Sequence, residues 1–364
     1  LGQHFINPDW GVGVDRAQRV RYIGSYADFA RYNADFEWPF EPNLSMAANE
    51  AILYNFEAER EQRLAEVPVT SVPVFAGAVL SDPGWSGKKE IVSVDLPTAE
   101  EMAAFDTLEL DLTLGCDGPG ELGVCPAWDR IVALYLCDDD LEPAVCDREV
   151  GRWITSYHRM GRWVHDVSGL LPLLAQGGTR RFAWHSIDPW VVDLSLRFSY
   201  RSKPTRPSET TFLFGGSGFG PNHNQGYEPI EVPIPGHAKK VELLTAITGH
   251  GGVQPENCAE FCQTSHIFFV AGHEVTVTFP EASGTIDCYL SVDEGTTPNQ
   301  YGTWWYGRNG WCPGREVPLA PVDVTAYVTP GEVATIAYMG LFEGAPYPKD
   351  GASIAMSSWL VVSK

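Results

Sequence analysis

Three clusters of loop residues combine groups that could do chemistry. Cys125-Pro126-Ala127-Trp128-Asp129-Arg130 sets an indole, a carboxylate and a guanidinium side by side, just before an apolar run. Such a trio can stack on a sugar face while hydrogen-bonding its hydroxyls. The second cluster is Gly249-His250-Gly251-Gly252, followed by Cys258-Ala259-Glu260-Phe261-Cys262 and His266. A bridge between Cys258 and Cys262 would close a very short loop around Glu260, and a carboxylate fixed in place is what general acid or base work requires. In the third, Trp304, Trp305, Tyr306 and Trp311 surround Arg308 in a Gly-rich stretch ending Cys312-Pro313-Gly314. Aromatic rings in loops suit carbohydrate stacking; the competing reading is a satellite hydrophobic cluster under a long loop. No phosphate-cradling Gly loop, HExxH or GxSxG elbow is present.

Something must position these loops, and the period of the sequence says what. Leu108, Leu110, Leu112 and Leu114 alternate with polar residues, as do Val192, Leu194, Leu196, Phe198 and Tyr200. That is the pattern of strands with one buried and one wet face. Runs at 130–136, 266–270 and 332–338 read as further strands. The 36 Gly and 27 Pro spread between them suit many short antiparallel strands rather than βα units. One helix is expected, from Ala47 to Leu64, with an apolar stripe at Ala48, Ile52 and Phe56. Val67-Pro68-Val69 and Val72-Pro73-Val74 then read as a linker, and the polar break at 201–207 as a domain boundary. The expected division is an N-terminal appendage over 1–74, one sandwich over 75–203 and a second over 204–364.

Charge and cysteines bound the setting. The 364 residues carry 25 Lys+Arg against 47 Asp+Glu, a net charge of −22, which excludes electrostatically driven nucleic-acid binding as a default. No stretch approaches 18 apolar residues, so no membrane span is expected. The first residues show no signal-peptide pattern; either a leader was removed or none existed. Eight cysteines, an even number, favour an exported, oxidised protein. Neighbours suggest pairs 116–125, 137–146, 258–262 and 288–312, one of 105 possible connectivities.

Taken in order, the clusters resemble the bacterial peptide-N-glycosidase F family. The resemblance runs from about residue 100 to the C-terminus. It rests on Cys125-x-x-Trp128-Asp129-Arg130, Gly151-Arg152-Trp153-Ile154-Thr155-x-Tyr157 with Asp166-Val167-Ser168, Cys258-Ala259-Glu260-Phe261-Cys262 with His266, and Arg308-x-Gly310-Trp311-Cys312-Pro313-Gly314. It implies an all-β fold of two side-by-side, antiparallel, eight-stranded jelly rolls, here preceded by a small mixed segment containing the helix. It also implies bridges Cys116–Cys125, Cys258–Cys262 and Cys288–Cys312, with Cys137–Cys146 as an extra one. By motif, Asp129 and Glu260 match the family's catalytic carboxylates, and Arg130 and Arg308 its substrate-binding arginines. Trp128 keeps a family Trp; Phe261 replaces one. The third acidic residue of the family has no Glu here, and His185 or Asp188 is its possible substitute, while His250 lies where a Trp-Gly-His run is expected.

The implied activity is an exported or periplasmic amidohydrolase, without cofactor or metal, that frees N-linked glycans from asparagine in glycoproteins or glycopeptides. It is expected to act as a monomer. Two rival classes stand beside it. One is a glycan-binding protein on the same scaffold without turnover. The other is a copper-dependent peptidylglycine monooxygenase-like protein, a fold-level analogy only, for which nine His and five Met supply ligands in number but not in HH or HxH spacing.

Overall fold

The computed structural model describes residues 10–25, 42–82, 84, 86–116, 124–138 and 141–364. Four large antiparallel sheets dominate. In the first half of the chain, Val69–Leu80, Trp190–Ser199, Thr107–Gly115 and Gly161–Asp166 form one four-stranded sheet in that order. It packs on a five-stranded sheet ordered Arg315–Glu316, Val145–Ile154, Ile131–Asp138, Gly177–His185 and Glu90–Thr98. Leu110, Leu112, Leu194 and Leu196 from one sheet meet Val132, Leu134, Trp153 and Trp184 from the other in a shared core. The alternation read from the sequence therefore fills this interior.

The second half repeats the scheme. Pro207–Phe219, Ala352–Ser363, Lys240–His250 and Ala320–Asp323 make one sheet; Ile230–Pro233, Val333–Leu341, Ser265–Val270 and His273–Thr278 make the other. Phe214, Leu243, Phe268, Ile336 and Leu360 lie between them. The last strand, Ala352–Ser363, is buried on both faces over most of its length and ends in the apolar run Trp359–Val362. Leu360 and Val362 face the second core, whereas Trp359 and Val361 join the first. The two sandwiches thus share a packed boundary. Arg315–Glu316 strengthens it, since the second half of the chain contributes that edge strand to the first sandwich.

Three local readings change. The 67–74 stretch is not a linker: Val69–Leu80 is an edge strand, paired with Trp190–Ser199 through shifts in register around Pro73. Proline is tolerated at such an edge, where no ladder hydrogen bond is lost. The helix extends over Pro42–Leu64, and its buried face is not the Ala48–Ile52–Phe56 stripe. Ile52 is 39% exposed, while Met46, Asn49, Glu50, Leu53, Arg60 and Leu64 are buried. The wet face of Thr107–Gly115 is not wet either, because the helix covers it. Arg63 pairs with the buried Glu109, and Arg162 bridges Asp111 and Glu61 at 2.9 and 2.7 Å. Both surprises have one cause: the helix docks through charged side chains that satisfy one another.

Among the described residues, no helix is long and apolar enough to cross a membrane. The cysteines form four disulfides, Cys116–Cys125, Cys137–Cys146, Cys258–Cys262 and Cys288–Cys312.

Candidate active site

Asp129 stands just ahead of the strand Ile131–Asp138, in a loop tied down from the neighbouring strand. The fully buried Thr155 accepts from the Arg130 amide at 2.8 Å and donates to the Trp128 carbonyl at 2.7 Å. Its own amide donates to the Arg130 carbonyl at 2.9 Å. Three bonds to one residue fix the backbone on either side of Asp129. Trp128 projects outward, 57% exposed, with the Arg130 guanidinium 5.7 Å from its ring.

Glu260 comes from the second half of the chain, in the loop closed by the Cys258–Cys262 disulfide. Its amide donates to the Gly251 carbonyl, and its carbonyl accepts from the Asn309 amide. Gly249 is required beneath this loop, since a Cβ there would lie 2.2 Å from the Ala259 carbonyl oxygen and 2.4 Å from the Asn309 amide nitrogen.

Arg308 joins the two loops. Its side chain is wholly buried, with Nη2 3.4 Å from Asp129 Oδ2 and Nε 3.4 Å from Glu260 Oε1. The guanidinium lies against both Phe261 and Trp311, at 5.1 and 5.0 Å from the ring centroids. Nη1 donates to the carbonyls of Thr303 and Tyr306, and Nη2 to the Thr303 hydroxyl. An arginine so enclosed is rigid, and it presents one positive charge to two carboxylates. Burial pushes the Asp129 carboxyl above its ordinary range, against the opposing pull of Arg308 and Tyr157. Glu260 is also raised, by burial first and by Asp129 as well, with Arg308 opposing. Oδ2 of Asp129 is buried without a hydrogen-bond donor.

Tyr157 is the residue that reasoning from residue types missed. Its hydroxyl reaches the Asp129 carboxylate and accepts from Arg308 Nη2 at 3.4 Å. Burial and the adjacent Asp129 raise its own ionisation well above the ordinary phenol value. Its place in the Gly151–Tyr157 motif was the available signal.

His250 ends the strand Lys240–His250, stacks on Trp311 with ring centroids 5.1 Å apart, and contacts the Thr248 hydroxyl at 2.7 Å. Burial holds it neutral, its pKa lowered to about 3. It lines a cleft of about 450 Å³ between the sandwiches, together with Ile131, Glu149 and Arg152. His185 and Asp188 leave their sheet beside Ala133, at the same end as Asp129. Nδ1 of His185 and Oδ2 of Asp188 are buried without hydrogen-bond partners. The expected exposed aromatic platform at 304–311 is absent: Trp304, Trp305 and Trp311 are buried, in clusters with Leu53 and Tyr157 or with Ile154 and Val317. Among the described residues, no group of three or more His, Cys, Asp or Glu is arranged to hold a metal ion.

Residues 221–363 match the family model for the C-terminal part of peptide-N-glycosidase F. An enzyme of Elizabethkingia miricola named peptide-N(4)-(N-acetyl-beta-D-glucosaminyl)asparagine amidase F is 25% identical over 219 residues, covering 55% of this chain and 59% of the relative. A crystal structure of a peptide-N(4)-(N-acetyl-beta-D-glucosaminyl)asparagine amidase superimposes with a TM-score of 0.66 at 18% identity, covering 82% of this chain and 96% of the other. The glycosylasparaginase PNGase F of Flavobacterium meningosepticum gives 0.62 at 17% identity, with coverage of 82% and 96%. The chain is similar to the peptide-N-glycosidase F family in its C-terminal part, and it spans 59% of the length of the curated relative it matches. A further structure, that of PNGF-II, gives 0.61 at 13% identity, with coverage of 85% and 67%, and shares the fold. The match by sequence model covers the C-terminal part of the chain, which carries Glu260, Phe261 and Arg308; Asp129 and Tyr157 lie before it.

Proposed function

We propose that this protein is a peptide-N-glycosidase, hydrolysing the amide between the first N-acetylglucosamine and asparagine of N-glycoproteins or glycopeptides. The observation that carries the proposal is the buried guanidinium of Arg308 standing 3.4 Å from Asp129 on one side and 3.4 Å from Glu260 on the other. Two acids from different sandwiches would not be gathered on a buried cation for packing alone, because desolvating all three costs more than an apolar filling. Clefts between domains also bury a ligand that one surface cannot.

In this reading, Asp129 in its protonated form is the acid and gives its proton to the departing nitrogen, while the proton that water loses goes to Glu260. Glu260 orients and deprotonates water for attack on the amide carbonyl carbon. The C–N bond breaks to leave aspartate in the peptide and a glycosylamine on the sugar, which balances with one water consumed. Mutual repulsion and burial hold the two carboxyls at different protonation states, one acid and one base. Arg308 offsets their charge, Trp128 and Arg130 meet the sugar from the open side, Phe261 covers the Arg308 guanidinium, and His250 lines the adjoining cleft. His185 or Asp188 stands in for the third acidic residue. No cofactor or metal is required.

Two sandwiches, each read as a jelly roll and divided near residue 203, supply the two walls. Four disulfides support an exported, extracellular or periplasmic setting. Incubation with a denatured high-mannose glycoprotein is expected to release intact glycans and convert each occupied Asn to Asp, both read by mass spectrometry. Binding on a glycan array without release would instead assign the chain to the non-catalytic class.

A further inference from the structure

The N-terminal helix lies before the region of family resemblance, yet it reaches the site. Glu50 is buried, and its carboxylate meets the Arg159 guanidinium in a two-point pair, at 2.6 Å to Nη1 and 2.9 Å to Nη2. Asn299 donates to the same carboxylate at 2.8 Å and to the Met46 carbonyl at 2.8 Å. Arg159 also donates to the Pro298 carbonyl. One acid on the helix therefore holds two loops together: 155–160 of the first sandwich and 297–303 of the second half of the chain.

Tyr157 sits inside that knot. Ser156 and Arg159 form a bridge across it. The Tyr157 amide donates to Gln300 at 2.9 Å, and Gly302, at φ +68°, lets the ring lie where a Cβ would stand 2.8 Å from it. Leu53 of the helix packs in one cluster with Tyr157, Trp304 and Trp305. From this ring the hydroxyl contacts Asp129 and Arg308.

We propose that the helix is a brace for the active site, and that Glu50 is a positioning residue which fixes Tyr157, and through it Asp129 and Arg308, by locking the 155–160 loop to the 297–303 loop. The physical requirement is strict, since displacing a reacting group by about 1 Å can cost a hundredfold in rate. For its catalytic readout the inference rests on the glycosidase reading; its structural readout does not.

The test uses the full chain with Glu50→Gln, which keeps the side chain's shape, Glu50→Asp, which keeps its charge, and Arg60→Ala as a control. Arg60 anchors the same helix to the Arg162 carbonyl at 2.7 Å, away from Tyr157. Glu50→Gln is expected to lower kcat between about ten- and a hundredfold with KM changed less than about twofold. The alkaline limb of its kcat/KM profile should move to higher pH, as Asp129, the acid, loses the Tyr157 contact that lowers its pKa. Glu50→Asp should recover part of the rate, and Arg60→Ala should leave kcat unchanged at temperatures where all variants are folded. Independently of turnover, hydrogen exchange of the 155–159 and 299–303 amides should accelerate in Glu50→Gln and not in Arg60→Ala. Unchanged exchange and kcat in Glu50→Gln, or equal changes in Arg60→Ala, would overturn the proposal. Faster exchange in Glu50→Gln, together with a wild-type chain that releases no glycan, would leave the brace standing and remove the glycosidase reading instead.

Discussion

The two halves of the site are stiffened in opposite ways. On the Asp129 side, the polar bracing lies outside the sandwich: Arg63 and Glu61 of the helix pair with Glu109 and Arg162 on the outer sheet face, and Glu50 pairs with Arg159 in the 155–160 loop. On the Glu260 side it lies inside. His266 is fully buried and joins the Tyr338 hydroxyl at 2.8 Å to the Thr264 hydroxyl at 2.8 Å. Thr264 in turn bonds the Asn309 side chain at 2.7 and 3.1 Å, and the Asn309 amide holds the Glu260 carbonyl. A charged brace buried as deeply as Glu50–Arg159 needs both partners present, since removing one strands a charge; a neutral chain needs only that every member be satisfied. The first arrangement lets a separate segment add rigidity from outside, whereas the second writes it into the strands.

The largest effect expected comes from removing the acid between the two braces. Asp129→Asn should reduce glycan release by roughly a thousandfold or more. The melting temperature should stay level or rise. The sign follows from linkage: the folded carboxyl has a raised pKa, so ionisation at neutral pH costs the folded state, and an uncharged isostere removes that cost. A large fall in melting temperature, with activity lost only in proportion to unfolded protein, would make Asp129 a structural residue and leave both braces without an object.

The internal brace should fail at a moderate cost. Thr264→Val preserves shape but leaves His266 Nε2 and the Asn309 amide without their partner. Buried groups orphaned in this way cost about 1–3 kcal/mol. Urea unfolding should show that loss, and kcat should fall several-fold as Asn309 and the adjacent Arg308 lose their fixed position. If stability drops while kcat and the pH profile are untouched, the second sandwich's polar chain serves folding alone, and the comparison with the Glu50 brace collapses.

Legibility in the sequence divides along the same line. Asp129, Glu260 and Arg308 could be picked out because each sits in a short motif of unusual residue types, and the strands at 107–115 and 190–199 because apolar residues alternate there. Tyr157 stood in a quoted motif, yet nothing in its type marked it, since a lone Tyr after Thr-Ser resembles any strand end. The helix was legible as a helix but not as a brace. Nothing local marks Glu50 and Arg60 as buried, because their partners, Arg159 and Asn299 for Glu50 and the Arg162 carbonyl for Arg60, lie more than a hundred residues away. Trp304 and Trp305 misled in the other direction: rings in a Gly-rich loop suggest a sugar platform, but Leu53 of the helix covers them. Residue type reports chemistry; burial of a charged face depends on a partner that local pattern does not contain.

The smallest effect concerns acid, and it separates the two sandwiches by their buried histidines. In the second, burial lowers His250 and His266 to about 3 and depresses His223 as well. In the first, His165 is lowered to about 4, its Nε2 accepting from the Leu319 amide at 3.2 Å. The unfolded chain binds these protons near pH 6.5, whereas the folded chain refuses them until the pH is far lower. Their contribution is therefore fully present above about pH 6.5 and is lost as the pH falls toward the folded values. At pH 6 each buried histidine should cost about 0.8 kcal/mol. The raised carboxyls Asp129 and Glu260 run the other way, losing stability as pH rises through their window above the ordinary carboxylate range, so they cannot produce a loss on acidification. Hydrogen exchange compared at pH 7 and pH 6, corrected for intrinsic rates, should show the Ser265–Val270 strand losing more protection than Thr107–Gly115. The same loss in both strands would mean that they open only together, so that the shared boundary at Trp359 and Val361, and not the histidine content of each core, sets the unit of unfolding.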